Sequence, residues 1–163
     1  MESTLTYLEC PECGKHFDAK RLQTFCEDCN SPLVAHYDFD KARRFLDPKT
    51  AAARPRGLWR WAEILPMHEE KNRMTLGEGD TPLILTLRLG KSLDLKNLFI
   101  KDESANPTAS FKARGLAMAV SKAAELKVKG FVIPTAGNAG GVLAHRRRVQ
   151  NRSSYLYAKG CAA

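Results

Sequence analysis

The sequence predicts an α/β chain that opens with a small metal-held ribbon. Three observations carry that prediction. Two Cys-x-x-Cys pairs stand 12 residues apart near the start. Beyond residue 80, short apolar runs alternate with a helical pattern. A glycine-rich loop then follows an apolar run and precedes further helical sequence, the order of a strand–turn–helix unit.

The ribbon is assigned to residues 1–40. Cys10-Pro-Glu-Cys13 and Cys26-Glu-Asp-Cys29 each make a tight turn that points two thiolates at one place. Two such turns give the tetrahedral sulfur site that zinc favours. Gly14 suits the left-handed turn that follows such a pair. Four cysteines leave no open position for water, so the predicted zinc is structural, contributing on the order of 10 kcal/mol to a module too small for its own core. Chance spacing or redox use is the competing reading. Strand-like runs are expected at 7–8 and 33–37.

Residues 41–76 read as a linker with short helical patches. Asp47-Pro48 is a break signal, and Pro55 and Gly57 add two more. Trp59, Trp61, Ile64 and Leu65 mark a short helix ended by Pro66, with both tryptophans read as packing residues. From 77 to 144 the texture is α/β. Strands are expected at 81–87 and 97–101, then a helix at 110–127 with Ser110 as its cap. Leu116, Val120, Ala123, Ala124 and Lys127 form its stripe, with Gly115 its weak spot. A buried strand follows at 130–134. The alternation suggests a parallel sheet.

Residues 145–163 break the pattern. This tail holds Arg146, Arg147, Arg148, Arg152 and Lys159 and no acid, so it contributes +5 of the formal charge of +8. The remainder is only mildly basic, and acids flank the cysteine pairs, which argues against nucleic acid as a partner. A hydrophobic content of 44% excludes wholesale disorder. No apolar run reaches membrane-helix length, and the start lacks the apolar core of a signal peptide, so the expected location is the cytoplasm. Reduced cysteines fit that location better than disulfides, and Cys161 reads as a free thiol.

Two further features concern chemistry. In the stretch NPTASFKARG (106–115), Lys112 falls in the first turn of the predicted helix. The positive end of the helix dipole opposes an ammonium there. That placement, helped by Lys101 and Arg114 if they approach, favours the neutral amine that attacks an aldehyde. A surface lysine in an unfavourable place is the plainer reading of the residues alone. The loop PTAGNAGG (134–141) exposes consecutive backbone N–H groups that suit a carboxylate or phosphate, and Asn138 offers an amide to a ring oxygen. Taken alone, such a loop is more often just a turn. It has neither the lysine of a phosphate-binding loop nor the dinucleotide glycine order.

In combination these motifs resemble threonine synthase, a pyridoxal-phosphate enzyme of the tryptophan-synthase-β structural class. The matching order is the four-cysteine ribbon, LGEGDTPL (76–83), Lys101-Asp-Glu103, NPTASFKARG and PTAGNAGG. The resemblance implies the first, incomplete part of a fold-type II pyridoxal-phosphate domain over 77–144. It implies that Lys112 holds pyridoxal 5′-phosphate and shuttles protons. It implies that Asn138 bonds the cofactor's 3′ oxygen and that Thr135, Ala136, Gly137 and Ala139 receive the substrate carboxylate. The implied reaction converts O-phosphohomoserine and water to threonine and phosphate, with a homodimer possible at full length. Ala109 departs from the family, which commonly has glycine there. After Ala144 the resemblance ends, so the tail reads as out-of-frame or premature sequence, and turnover by this chain alone is not expected. Threonine dehydratase and cysteate synthase share the lysine and asparagine motifs and are alternatives. A zinc-ribbon binding module is a third reading.

Overall fold

A computed structural model of the chain describes residues 2–130. Over these residues the architecture is mixed α/β. The N-terminal sheet has three antiparallel strands in the order β2 (His16–Phe17), β1 (Leu5–Glu9), β3 (Val34–Tyr37). Leu8 lies opposite both Phe17 and Ala35, and a register shift sits between Leu5 and Tyr7. The Tyr7 ring is stacked between His16 and His36, with centroids 4.1 and 4.8 Å away.

Helix α1 (Phe39–Phe45) begins where the Asp38 carboxylate accepts the Lys41 N–H at 2.8 Å. Helix α2 (Pro48–Ala53) begins the same way. Asp47 accepts from the N–H of Thr50, and Pro48 occupies the first turn, where no N–H is needed. The Asp47-Pro48 break signal therefore starts a helix as well as ending one. Residues Leu58–Ile64 wind as 3-10 turns with a kink at Trp61. The Trp59 indole donates to the Met74 carbonyl at 2.9 Å, with the Arg73 guanidinium over its ring. That is a packing role.

This helical stretch grips the N-terminal sheet through Thr4, whose N–H and hydroxyl both donate to the Glu63 carbonyl at 2.8 and 2.9 Å. Beneath the contact, Arg54 meets the Glu63 carboxylate through both terminal nitrogens, at 2.8 and 2.7 Å. The pair is buried, with side-chain exposures of 9% and 2%. Arg54 also donates to the carbonyls of Phe45 and Arg60. Ala42, Ala62 and Met67 are buried in the same stretch of chain.

The second sheet pairs β4 (Leu83–Leu85) with β5 (Phe99–Lys101). The pairing is antiparallel, which corrects the parallel arrangement expected from the alternation. The reason is the connection. Residues 86–98 fold into the short helix α3 (Leu87–Ser92) and return beside β4, where the Thr86 N–H meets the Leu98 carbonyl at 2.9 Å. That is a hairpin-like return and not a crossover. All six strand residues are exposed.

Helix α4 (Lys112–Glu125) starts two residues later than expected. Its buried face is Ala113, Ala117, Val120, Ser121 and Ala123, rotated from the predicted stripe because Leu116 is only half-buried. Small residues on that face let the chain at 67–74 approach closely. Ser121 Oγ accepts the Met74 N–H at 2.9 Å, and the Glu125 carboxylate accepts the N–H groups of His68 and Glu69. The helix ends near the predicted place, where Lys127 takes a left-handed conformation and Val128 N–H bonds the Ala123 carbonyl. No described helix is long and apolar enough to cross a membrane. The expected strand at 130–134, beyond its first residue, and the tail lie outside the described residues.

Candidate functional site

The four cysteines converge as the spacing predicts. Their sulfurs all lie within 4.8 Å of one another, and Cys13 and Cys26 Sγ are 3.8 Å apart. Bonds of about 2.3 Å to a tetrahedral zinc set the sulfur–sulfur edge at about 3.8 Å. A disulfide would need about 2.05 Å. The donor set and its spacing fit a metal ion.

Two turns of one design produce the cluster. In the first, Cys10 N–H bonds the Lys15 carbonyl and Gly14 N–H bonds the Cys10 carbonyl. In the second, Cys26 N–H bonds the Ser31 carbonyl and Asn30 N–H bonds the Cys26 carbonyl. Both turns need a left-handed residue after the second cysteine, with φ of 71° at Gly14 and 53° at Asn30. Asparagine tolerates that region better than most side chains. Cys10 and Cys26 are buried, while Cys13 is exposed and Cys29 partly so. The Cys13 backbone N–H donates to the Cys10 sulfur and brings that thiol down to about 7. A hydrogen bond with the Cys13 sulfur, followed by burial, pushes Cys29 up to about 12. Four thiols held this close resist full ionisation until a cation joins them. Lys15 bridges the turns by pairing with Glu27 and Asp28 at 2.7 and 2.8 Å.

The second candidate is the lysine loop. Lys112 lies in the first turn of α4, as predicted, but as its first residue, and it is exposed. Ser110 does not cap the helix. The cap position is Phe111, without a side-chain bond, and Ser110 Oγ reaches only the Lys112 N–H at 3.3 Å. Lys101 and Arg114 are both committed elsewhere. Lys101 Nζ donates to the Thr81 carbonyl, and Arg114 grips Glu103 through Nε and Nη2 at 2.7 and 2.9 Å. Thr81 Oγ1 donates to Glu103 at 2.6 Å and accepts from Arg114 at 3.0 Å. Asn106 donates to Glu103 and accepts the Gly79 N–H. This knot joins three of the motif stretches, and the sequence reading had no pattern that revealed it.

The Arg114 guanidinium, with Thr81, holds the Glu103 carboxyl down at about 2, against an ordinary value of 4.5. A depressed carboxylate stabilises the fold above its unfolded value, and that stability is lost as pH falls through the folded value. The stability gap between wild type and Glu103→Gln is therefore expected to be full above about pH 5, to narrow below pH 4.5 and to close near pH 2. Urea denaturation across that range measures it. Equal stability of the two proteins at pH 7 would contradict it.

Ala109 lies in the same loop at φ 50°, a left-handed position, which explains why glycine suits this place. Ala109→Gly is expected to stabilise the chain by about 0.5–1 kcal/mol, read as a rise in the denaturation midpoint. Glu78 is fully buried. Its Oε2 accepts the Leu76 N–H at 2.7 Å, whereas its Oε1 and the Thr108 hydroxyl have no hydrogen-bond partner among the described residues. An exposed amine beside a loop with an unmatched buried hydroxyl fits a group that brings an aldehyde and hydrogen-bonding oxygens. Asn138, Thr135, Ala136, Gly137 and Ala139 lie outside the described residues.

Residues 74–148 match the family of pyridoxal-phosphate dependent enzymes. More particularly, the chain resembles the N-terminal part of threonine synthases. It is 37% identical to the threonine synthase of Methanocaldococcus jannaschii over 135 residues, 83% of this chain and 33% of that protein. It is 44% identical to that of Halalkalibacterium halodurans over 87 residues, 53% of this chain and 24% of the relative. A third relative is the 2-amino-4-ketopentanoate thiolase beta subunit of Acetoanaerobium sticklandii, 41% identical over 83 residues, 46% of this chain and 18% of the relative. The chain thus spans about a third or less of the curated relatives it matches.

Proposed function

We propose that this chain carries the N-terminal part of a threonine synthase, the enzyme that turns O-phosphohomoserine and water into threonine and phosphate. The observation that supports this most is the exposed Lys112 at the start of α4, inside a stretch of the pyridoxal-phosphate family. Pyridoxal 5′-phosphate would supply an electron sink for carbanion chemistry. Lys112 would bind it through the side-chain amine and then take and return protons at the substrate carbons. Asn138 would bond the ring's 3′ oxygen, and Thr135, Ala136, Gly137 and Ala139 would receive the substrate carboxylate.

In this reading residues 1–40 are a ribbon held by structural zinc on Cys10, Cys13, Cys26 and Cys29. Residues 41–76 are a linker, 77–144 the start of the cofactor domain, and 145–163 a basic tail whose first four residues still fall within the family match. The partner is a small amino-acid phosphate rather than nucleic acid, the setting is cytoplasmic, and a homodimer is possible at full length.

The direct test is chemical. Treatment with pyridoxal 5′-phosphate and then borohydride is expected to leave a reduced adduct mainly on Lys112, read by peptide mass spectrometry. Adducts spread evenly over all lysines would sink the cofactor reading. The similarity to a thiolase subunit favours one second reading, a related pyridoxal-phosphate enzyme with another substrate. In a protein completed with the family's remaining sequence, equal yields of threonine and phosphate from O-phosphohomoserine support the first reading. A loaded, folded protein that releases neither supports the second.

A further inference from the structure

We infer that Glu103, Arg114 and Thr81 form a positioning lock that sets where the Lys112 amine stands, and that none of the three serves as a ligand group. This rests on the reading of Lys112 as the cofactor lysine.

The start of α4 has little to hold it locally. Its cap residue offers no side-chain bond, and the Ser110 contact is long. A helix end without a cap frays unless tertiary contacts fix it. Arg114, two residues beyond Lys112 and so within the same first turn, supplies that contact. Its planar guanidinium meets the Glu103 carboxylate through two nitrogens, a geometry that fixes direction as well as distance. Glu103 is itself placed by the 3-10 turn Glu103–Ala105 that follows β5.

The remaining contacts tie this pair to the loop at 76–83. Thr81, 6% exposed, touches both partners. Asn106, 5% exposed, spans from Glu103 to the Gly79 N–H. With two bonds from Arg114, one from Thr81 and one from Asn106, each Glu103 oxygen has two donors. A carboxylate supplied in this way holds its neighbours and has little capacity left for an incoming ligand. The Arg114 charge is likewise matched by Glu103, so it is not a free anion receptor.

The test uses the whole chain and the reductive labelling described above. The readout is the Lys112 adduct relative to the adducts on exposed Lys49 and Lys91. Thr81→Val removes the hydroxyl and Thr81→Ser restores it. Glu103→Gln removes the charge. Thr81→Val and Glu103→Gln are expected to lower the Lys112 share about tenfold or more, the scale of a misplaced reacting group, while Lys49 and Lys91 label as before. Thr81→Ser is expected to label as wild type does.

Variants that keep the wild-type share overturn the lock and leave the cofactor reading intact. A wild type with no preference for Lys112 overturns the cofactor reading, and the lock with it. If Glu103→Gln fails to fold, the Thr81 pair decides. General unfolding of Thr81→Val, seen as increased labelling at all lysines, assigns the cluster a purely structural role and also overturns the proposal.

Discussion

Stripping the metal from the cysteine cluster with a chelator is expected to unfold the N-terminal sheet while α4 keeps its structure. The sheet has little else to hold it. β2 is two residues long and β3 four. The buried apolar residues of the segment are Leu5, Cys10, Ala19 and Cys26, so half of its small core consists of the ligands themselves. A structural zinc contributes on the order of 10 kcal/mol, far more than burial of one leucine at roughly 2–3 kcal/mol. Hydrogen exchange gives the result by segment. The amides of β1 and those of Cys26 and Asn30 should lose protection, and those of the α4 interior should not. Cys26→Ser should behave like the chelated protein. Full protection of β1 in chelator would show that the sheet stands without metal.

The second large effect is expected at Arg54. Its partner Glu63 is 2% exposed and both carboxylate oxygens bond to Arg54. Arg54→Ala would leave a buried carboxylate unpaired and two carbonyls without their donor, at a cost of about 3–5 kcal/mol. Removing both charges is a different matter. The double variant Arg54→Met with Glu63→Leu should recover much of the loss, because it also removes the desolvation cost. The Glu63 backbone carbonyl would still receive Thr4, so attachment of the sheet should survive in the double variant. Urea midpoints for the single and double variants measure both statements. A single variant within about 1 kcal/mol of wild type would mean that water reaches the site.

Sequence reasoning succeeded where the determinants were local. The cysteine spacing placed the four-sulfur cluster, and the apolar periodicity placed α4, including its end near Lys127. Local signals also read the 58–64 turn and the packing role of Trp59. They failed where the determinant was distant in the chain. Nothing near Arg114 reveals that it will meet Glu103, 11 residues earlier, or that Thr81, 33 residues earlier, will touch both. The antiparallel pairing of β4 and β5 depended on a helix at 87–92 that the leucine-rich pattern concealed. Asn30 was legible in principle. It stands at the same offset from its cysteine pair as Gly14, and asparagine is a known substitute for glycine in left-handed turns.

The repeated design of the two cysteine turns bears on how the metal arrives. Each turn closes by the same pair of backbone bonds within six consecutive residues, so the closure of each is local. An incoming ion would have two landing points alike in backbone though not in thiol acidity. Whichever turn captures it first presents it to the second, and the two routes converge on one assembled centre. Assembly with two entrances of this kind tolerates damage at one of them in its rate but not in its product. Loss of a single cysteine should leave early capture by the opposite turn nearly as fast, while the closed four-sulfur state never forms.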